Sequence, residues 1–193
     1  MEPVRRLALL LLLLLARTAG ASVLTNEPGY VPPADPDSAA VRTGRREAPA
    51  IALKFDGGAK SLDALARSVL RAAAAGDRTT LAHLCVTRRE FAEIMWPEFP
   101  QSRPVTGATA DDGWYFLVRR NLGGVGRLLS DWNGKPLTLV RVEHGPFESY
   151  RNFRLHRGLT IVAKTPEGEI VRVDDLRTVA ERKGVFKIYS MRD

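Results

Sequence analysis

The stretch Arg177-Thr178-Val179-Ala180-Glu181-Arg182-Lys183-Gly184-Val185-Phe186-Lys187-Ile188-Tyr189 decides how this chain folds. Lys183-Gly184 reads as a two-residue hairpin turn between β-rich flanks, because glycine reaches positive φ without steric cost. Working upstream, Thr165-Pro166-Glu167-Gly168 reads as a second tight connection. Strand candidates run over 137–143, 149–156, 159–165, 169–182 and 185–191. Links this short leave room only for antiparallel neighbours. Asp174-Asp175 interrupts the long fourth candidate and predicts a bend or bulge there.

Before residue 134 the apolar period is helical. Ser61 is placed as an N-cap, with Leu62, Leu65, Val69, Leu70 and Ala73 at helical spacing and Gly76 as the stop. Asp77 then caps a short helix through Leu81 and Leu84. Thr87-Arg88-Arg89-Glu90 is a capping-box pattern opening a helix through Phe91, Ile94 and Met95. Pro97 and Pro100 stop it, leaving an aromatic loop over 96–104. A longer helix begins at Asp111-Asp112, with Trp114, Leu117, Val118, Leu122, Val125, Leu128, Leu129 and Trp132 as its apolar stripe. Gly123, Gly124 and Gly126 predict a kink or a close helix-to-sheet contact. Helices first and a meander last make an α+β class, N-terminal helices packed on a curved antiparallel sheet.

This order of elements, with its Gly76-Asp77 junction and its closing hairpin over 177–189, resembles the nuclear-transport-factor-2-like superfamily across residues 59–193. That superfamily of cone-shaped α+β rolls includes ketosteroid isomerases, scytalone dehydratase and polyketide cyclases. The resemblance implies a pocket between concave sheet and helices. It carries no catalytic set onto this chain residue by residue, since members use different acids and bases there.

The N-terminus reads as a signal peptide over residues 1–21. Arg5 and Arg6 precede an apolar run over 7–16, and Ala19-Gly20-Ala21 forms the cleavage site. That run is far short of the roughly 20 residues that a membrane span needs. Without a cysteine after it, no lipid attachment is expected and no stable membrane anchor remains after cleavage. The product is expected to be exported, periplasmic or secreted. Residues 22–58 hold Pro28, Pro32, Pro33, Pro36 and Pro49 and read as a flexible linker, although the run 51–55 could add a strand or a latch. Residues 59–193 read as one domain.

The formal charge of +7 is spread over separate arginine pairs, Arg45-Arg46, Arg88-Arg89 and Arg119-Arg120. Nucleic-acid proteins concentrate such charge on one face, so no nucleic-acid partner is expected. Cys85, the single cysteine, reads as a buried, inert thiol. His83, His144 and His156 have no ligand-type spacing, so neither a metal nor a cofactor is expected. Gly123-Gly124-Val125-Gly126 follows no strand and lacks a Lys-Ser/Thr ending, which argues for packing over phosphate binding.

The candidate ligand-binding residues are Trp96, Arg103, Trp114, Tyr150, Arg154 and His156. Strand alternation over 149–156 groups Tyr150, Asn152, Arg154 and His156 on one face, which either meets water or lines the cone. In the second case Arg154 would bind an anion while His156 and Tyr150 hold or move protons. Trp96 and Arg103 would rim a pocket mouth, or Trp96 and Trp114 would serve the core. The expected function is binding of a small apolar or anionic ligand. The alternatives are a cofactor-free isomerase, dehydratase or cyclase, and an assembly module that forms a homodimer through its open sheet face.

Overall fold

The computed structural model describes residues 30–31, 45–46, 48–102 and 106–192. The expected signal peptide over 1–21, most of the expected linker over 22–58 and Arg103 lie outside the described residues. The chain divides into two compact units, one comprising residues 1–49 and 97–108 and the other 50–96 and 109–193. In the first unit, strands β1 (Tyr30–Val31) and β2 (Arg45–Arg46) pair antiparallel. A 3-10 turn, Pro100–Ser102, is tied by the Ser102 hydroxyl donating to the Phe99 carbonyl at 2.8 Å.

The second unit is α+β, with helices packed on antiparallel sheets. Helix α1 (Leu62–Ala74) starts where Ser61 Oγ accepts from the Ala64 N–H, and it buries Leu65, Ala66, Val69, Leu70, Ala72 and Ala73. Gly76, at φ +66°, turns the chain, and Asp77 caps α2 (Arg78–His83) through Thr80. Thr87 and Glu90 form the capping box of α3 (Arg88–Glu90), which continues as a π-helical turn, Phe91–Met95. Helix α4 (Ala110–Trp132) begins one step before the acidic pair, because Thr109 is the N-cap and Asp112 closes a second capping box.

The strands form two sheets. One orders β3 (Thr138–Glu143), β6 (Thr160–Lys164) and β7 (Ile170–Val173); the other orders β4 (Phe147–Ser149), β5 (Arg154–Arg157), β8 (Leu176–Arg182) and β9 (Val185–Met191). Neither closes into a barrel. Asp174-Asp175 breaks the chain between β7 and β8 and passes it from one sheet to the other, a larger change than the expected bend. The single strand expected over 149–156 is instead a hairpin. Residues 150–153 turn, with the Tyr150 N–H on the Phe153 carbonyl, and Ser149 pairs with Arg154.

The core gathers α1, Leu81, Val125 and Leu128 against Ile161, Ala163, Val179 and Ile188. Helix α4 approaches β9 closely. A Cβ on Gly124 would come within 2.4 Å of the Met191 Cβ and 2.6 Å of the Arg192 carbonyl, so this glycine is the predicted close contact. Gly126 meets nothing within 4 Å. One turn earlier, Asn121 donates to the Tyr189 carbonyl at 3.1 Å and accepts from the Met191 N–H at 2.9 Å. Both bonds fall where β9 carries an irregular register against Thr178 and Val179. Leu122, expected in the apolar stripe, is 58% exposed. Asn121 and Gly124 face inward on this part of the helix instead.

Two buried cations hold the N-terminal edge of this unit. Lys187 Nζ donates to Glu90 Oε2 at 2.8 Å, to Glu90 Oε1 at 3.1 Å and to the Asp56 carbonyl at 2.9 Å. Glu90 also accepts from the N–H groups of Asp56 and Thr87. Arg182 donates through Nε to the Leu53 carbonyl at 2.8 Å, and through its two terminal nitrogens to the Ile51 and Asn152 carbonyls. Asn152 Oδ1 accepts from the Ile51 N–H at 2.9 Å. Residues 51–56 form no strand, but these bonds and the buried Phe55 latch them to β8 and β9.

Removing one partner of a fully buried ion pair leaves a charge that nothing compensates, at a cost of about 3–5 kcal/mol. K187M is therefore expected to lose stability of that order in urea denaturation. K187M/E90Q recovers part of it, because Gln keeps an acceptor for the Thr87 N–H without the charge. Wild-type stability in K187M, or a further fall in the double variant, would contradict this account.

Candidate functional site

The pleat of the four-stranded sheet sorts the predicted residues. Paired residues share a face, so His156, Val179 and Ile188 stand on one side with Phe147, Arg154, Glu181 and Phe186. Val179 and Ile188 belong to the core that the helices cover, so this face is the inner one. Glu148, Leu155 and Ala180 occupy the opposite face.

His156 is only 7% exposed, and its Nε2 lies 2.8 Å from Glu181 Oε2. A neutral imidazole in this place donates its Nε2 proton to the carboxylate, and its Nδ1 is then a lone-pair acceptor. Nδ1 is buried and makes no hydrogen bond to any described residue. Three rings surround the imidazole. His144 meets it edge-on at 5.5 Å, Phe147 lies at 5.8 Å and Phe186 at 5.7 Å. Arg154 lies over the Phe147 ring at 5.3 Å and reaches Glu181 Oε1 at 3.8 Å. Phe147 and Arg154 are both more than half exposed, so the imidazole lies just beneath an accessible rim of aromatic carbon and one guanidinium. His144 is exposed beside them, its Nδ1 on the Gly145 carbonyl at 2.7 Å.

The six predicted residues do not form one site. Arg154 and His156 meet at Glu181. Tyr150 is not with them. It sits in the turn of the β4–β5 hairpin, stacks on Phe153 at 4.4 Å and donates its hydroxyl to Glu148 Oε1 at 2.8 Å. Glu148 also accepts from Arg157, on the face away from His156. The expected alternation fails because residues 150–153 leave the extended conformation. Trp96 and Trp114 pack instead on Phe91, at 5.8 and 5.9 Å, and Tyr189 stacks on the same ring at 6.5 Å. This second aromatic cluster joins the start of α4 to the π-helical turn. Gly113 belongs to it, since a Cβ there would lie 2.5 Å from the Trp96 ring.

Sequence reasoning missed Glu181, Phe147, Phe186 and His144. The signal for Glu181 lay in the register of β5 against β8, which pairs Arg154 with Glu181. Among the described residues no group of three or more His, Cys, Asp or Glu side chains converges as a metal site would require. No described helix is long and apolar enough to cross a membrane. Cys85 is buried beside Ile188, its thiol on the Leu81 carbonyl, and burial pushes that thiol up to about 11. Compared with protein-family models, curated proteins and solved structures, the chain matches none.

Two phenols make this unit sensitive to alkali. Burial pushes Tyr189 up to about 12, and burial followed by the nearby Glu148 charge pushes Tyr150 well above the usual phenol range. A phenol that stays neutral in the fold but ionises near pH 10 when unfolded stabilises the fold fully below about pH 10. That stability is lost as the pH climbs from there through the folded values. Urea midpoints are expected to fall once the pH passes about 9, where the Cys85 thiol ionises only in the unfolded chain, and more steeply above about 10, less so in Y150F. Complete tyrosinate absorbance in the folded protein by about pH 11.5 would contradict the assignment.

Proposed function

We propose that this is an exported, small-ligand-binding domain of the nuclear-transport-factor-2-like type. Its ligand is a flat apolar molecule bearing a hydroxyl or N–H donor, taken at His156. The observation that carries this reading is the buried, unpartnered Nδ1. A buried acceptor left without a donor costs about 1–3 kcal/mol, a cost that a ligand's donor removes. The rings of Phe147, Phe186 and His144 supply the apolar contact, and Arg154 stands at the rim. The orientation of His156 by Glu181 favours a second reading. A carboxylate-held imidazole with a free nitrogen can also take a proton from a bound substrate, the first step of a cofactor-free isomerase, dehydratase or cyclase.

The probe pair is 2-naphthol and 2-methoxynaphthalene, which share an aromatic body and differ in the donor. The naphthol is expected to bind at least about tenfold tighter, as sites built around a hydrogen bond discriminate. H156F should abolish that difference while still binding the ether. Equal affinity for the two probes, or an unchanged preference in H156F, would sink the reading. Export makes its own prediction. Amino-terminal sequencing of the protein recovered outside the cytoplasm should begin at Ser22, and a product retaining Met1 would overturn the signal-peptide assignment.

A further inference from the structure

Away from His156, a cavity of the second unit that is open to solvent is lined by four arginines with one glycine and one threonine. Its volume is about 530 Å³, and its lining is Arg127, Arg157, Gly158, Arg177, Thr178 and Arg192. Four parts of the fold bring these cations together. Arg157 ends β5, Arg177 and Thr178 lie on β8, Arg127 comes from α4, and Arg192 follows β9. Gly158, at φ +62°, turns the chain out of β5 and donates its N–H to the Arg177 carbonyl at 3.0 Å.

Two of the four guanidiniums are balanced. Arg127 Nε is 2.9 Å from Asp175 Oδ1, and Arg157 pairs with Glu148. Arg177 and Arg192 make no ion pair with any described residue, and the Thr178 hydroxyl makes no hydrogen bond to one. Like charges repel when gathered in one concavity, so such an arrangement favours a counter-anion. Two unbalanced guanidiniums match a dianion in charge, and their planar forks match the tetrahedral oxygens of phosphoryl or sulfuryl groups. The volume falls within the roughly 300–1,000 Å³ of small-molecule sites and would hold more than one such group. No aromatic or aliphatic residue lines it, so the apolar surface it offers is mainly that of the arginine stems.

We infer that this cavity is a binding site for a compact, polar polyanion bearing phosphoryl or sulfuryl groups, with Arg177 and Arg192 as its principal contacts. It is independent of the His156 site, which lies on the opposite face of β5 from Arg157.

Calorimetric titration at constant ionic strength, with inorganic phosphate, sulfate and pyrophosphate as probes, tests it. Saturable binding is expected, tightest for pyrophosphate. R177A/R192A should weaken pyrophosphate binding by at least about tenfold, since both charge-assisted contacts are lost. R88A/R89A removes the same charge elsewhere and should bind as wild type, as should H156F. Equal unfolding midpoints for the variants establish that the fold is intact. No saturable binding of any probe, wild-type affinity in R177A/R192A, or an equal loss in R88A/R89A would each overturn the inference. The last outcome would assign the effect to overall charge.

Discussion

Glu90 and Lys187 are both almost wholly withdrawn from solvent, at 3% and 1% exposure, and the surrounding chain is arranged to satisfy them. An ion pair in a poorly polarisable interior is tolerable only when its remaining hydrogen-bonding capacity is also met. That requirement is strict here. The ammonium's donors reach both Glu90 oxygens and the Asp56 carbonyl, and the carboxylate takes the N–H groups of Asp56 and Thr87 as well. The segment before α1, the capping box of α3 and strand β9 therefore meet at one pair of charges. Arg182 repeats the device one strand over by drawing the carbonyls of residues 51, 53 and 152 onto β8.

This anchoring positions the inner face of the sheet. Arg182 and Lys187 flank the β8–β9 turn and point away from the His156 face, so their neighbours Glu181 and Phe186 point onto it. Glu181 is then opposite Arg154 and within reach of His156, and Phe186 closes one side of the imidazole. A slip of one residue in this hairpin would carry Glu181 to the far face and leave His156 with no partner on either nitrogen. The candidate site and the structural ion pair thus depend on the same register.

Local features were legible from the chain alone, and non-local ones were not. Lys183-Gly184 reads as a turn because its backbone demands glycine, and Thr87 with Glu90 reads as a cap because both bonds lie within one helical turn. The turn over 150–153 went unread. Tyr-Arg-Asn-Phe holds neither Gly nor Pro, and its polar and apolar residues alternate as a strand would. Its stability comes from Tyr150 stacking on Phe153 and from Arg182 bonding the Asn152 carbonyl, a contact 30 residues away. Glu181 was visible as a strand residue, but its partner depended on how two strands align. Trp96 and Trp114 were recognised as packing residues or rim residues. Which role holds is decided by Phe91, whose ring lies between them.

The latch at residues 51–56 has a consequence for the order in which the molecule assembles. Its bonds to β8, β9 and the 150–153 turn span 101 to 131 residues of chain, and the Glu90–Lys187 pair spans 97. Closing loops of that length is entropically unfavourable and is repaid only when both ends are present. A chain made from its N-terminus has completed every helix before residue 182 exists. Until β8 and β9 arrive, Glu90 has no cation, the Asn121 amide has no strand to hold, and the face of α4 that packs on β9 remains wet, although α1 can already pack on β3 and β6. Closure of the latch therefore waits for the last two strands, and a chain stalled short of Lys187 leaves Glu90 without its cation.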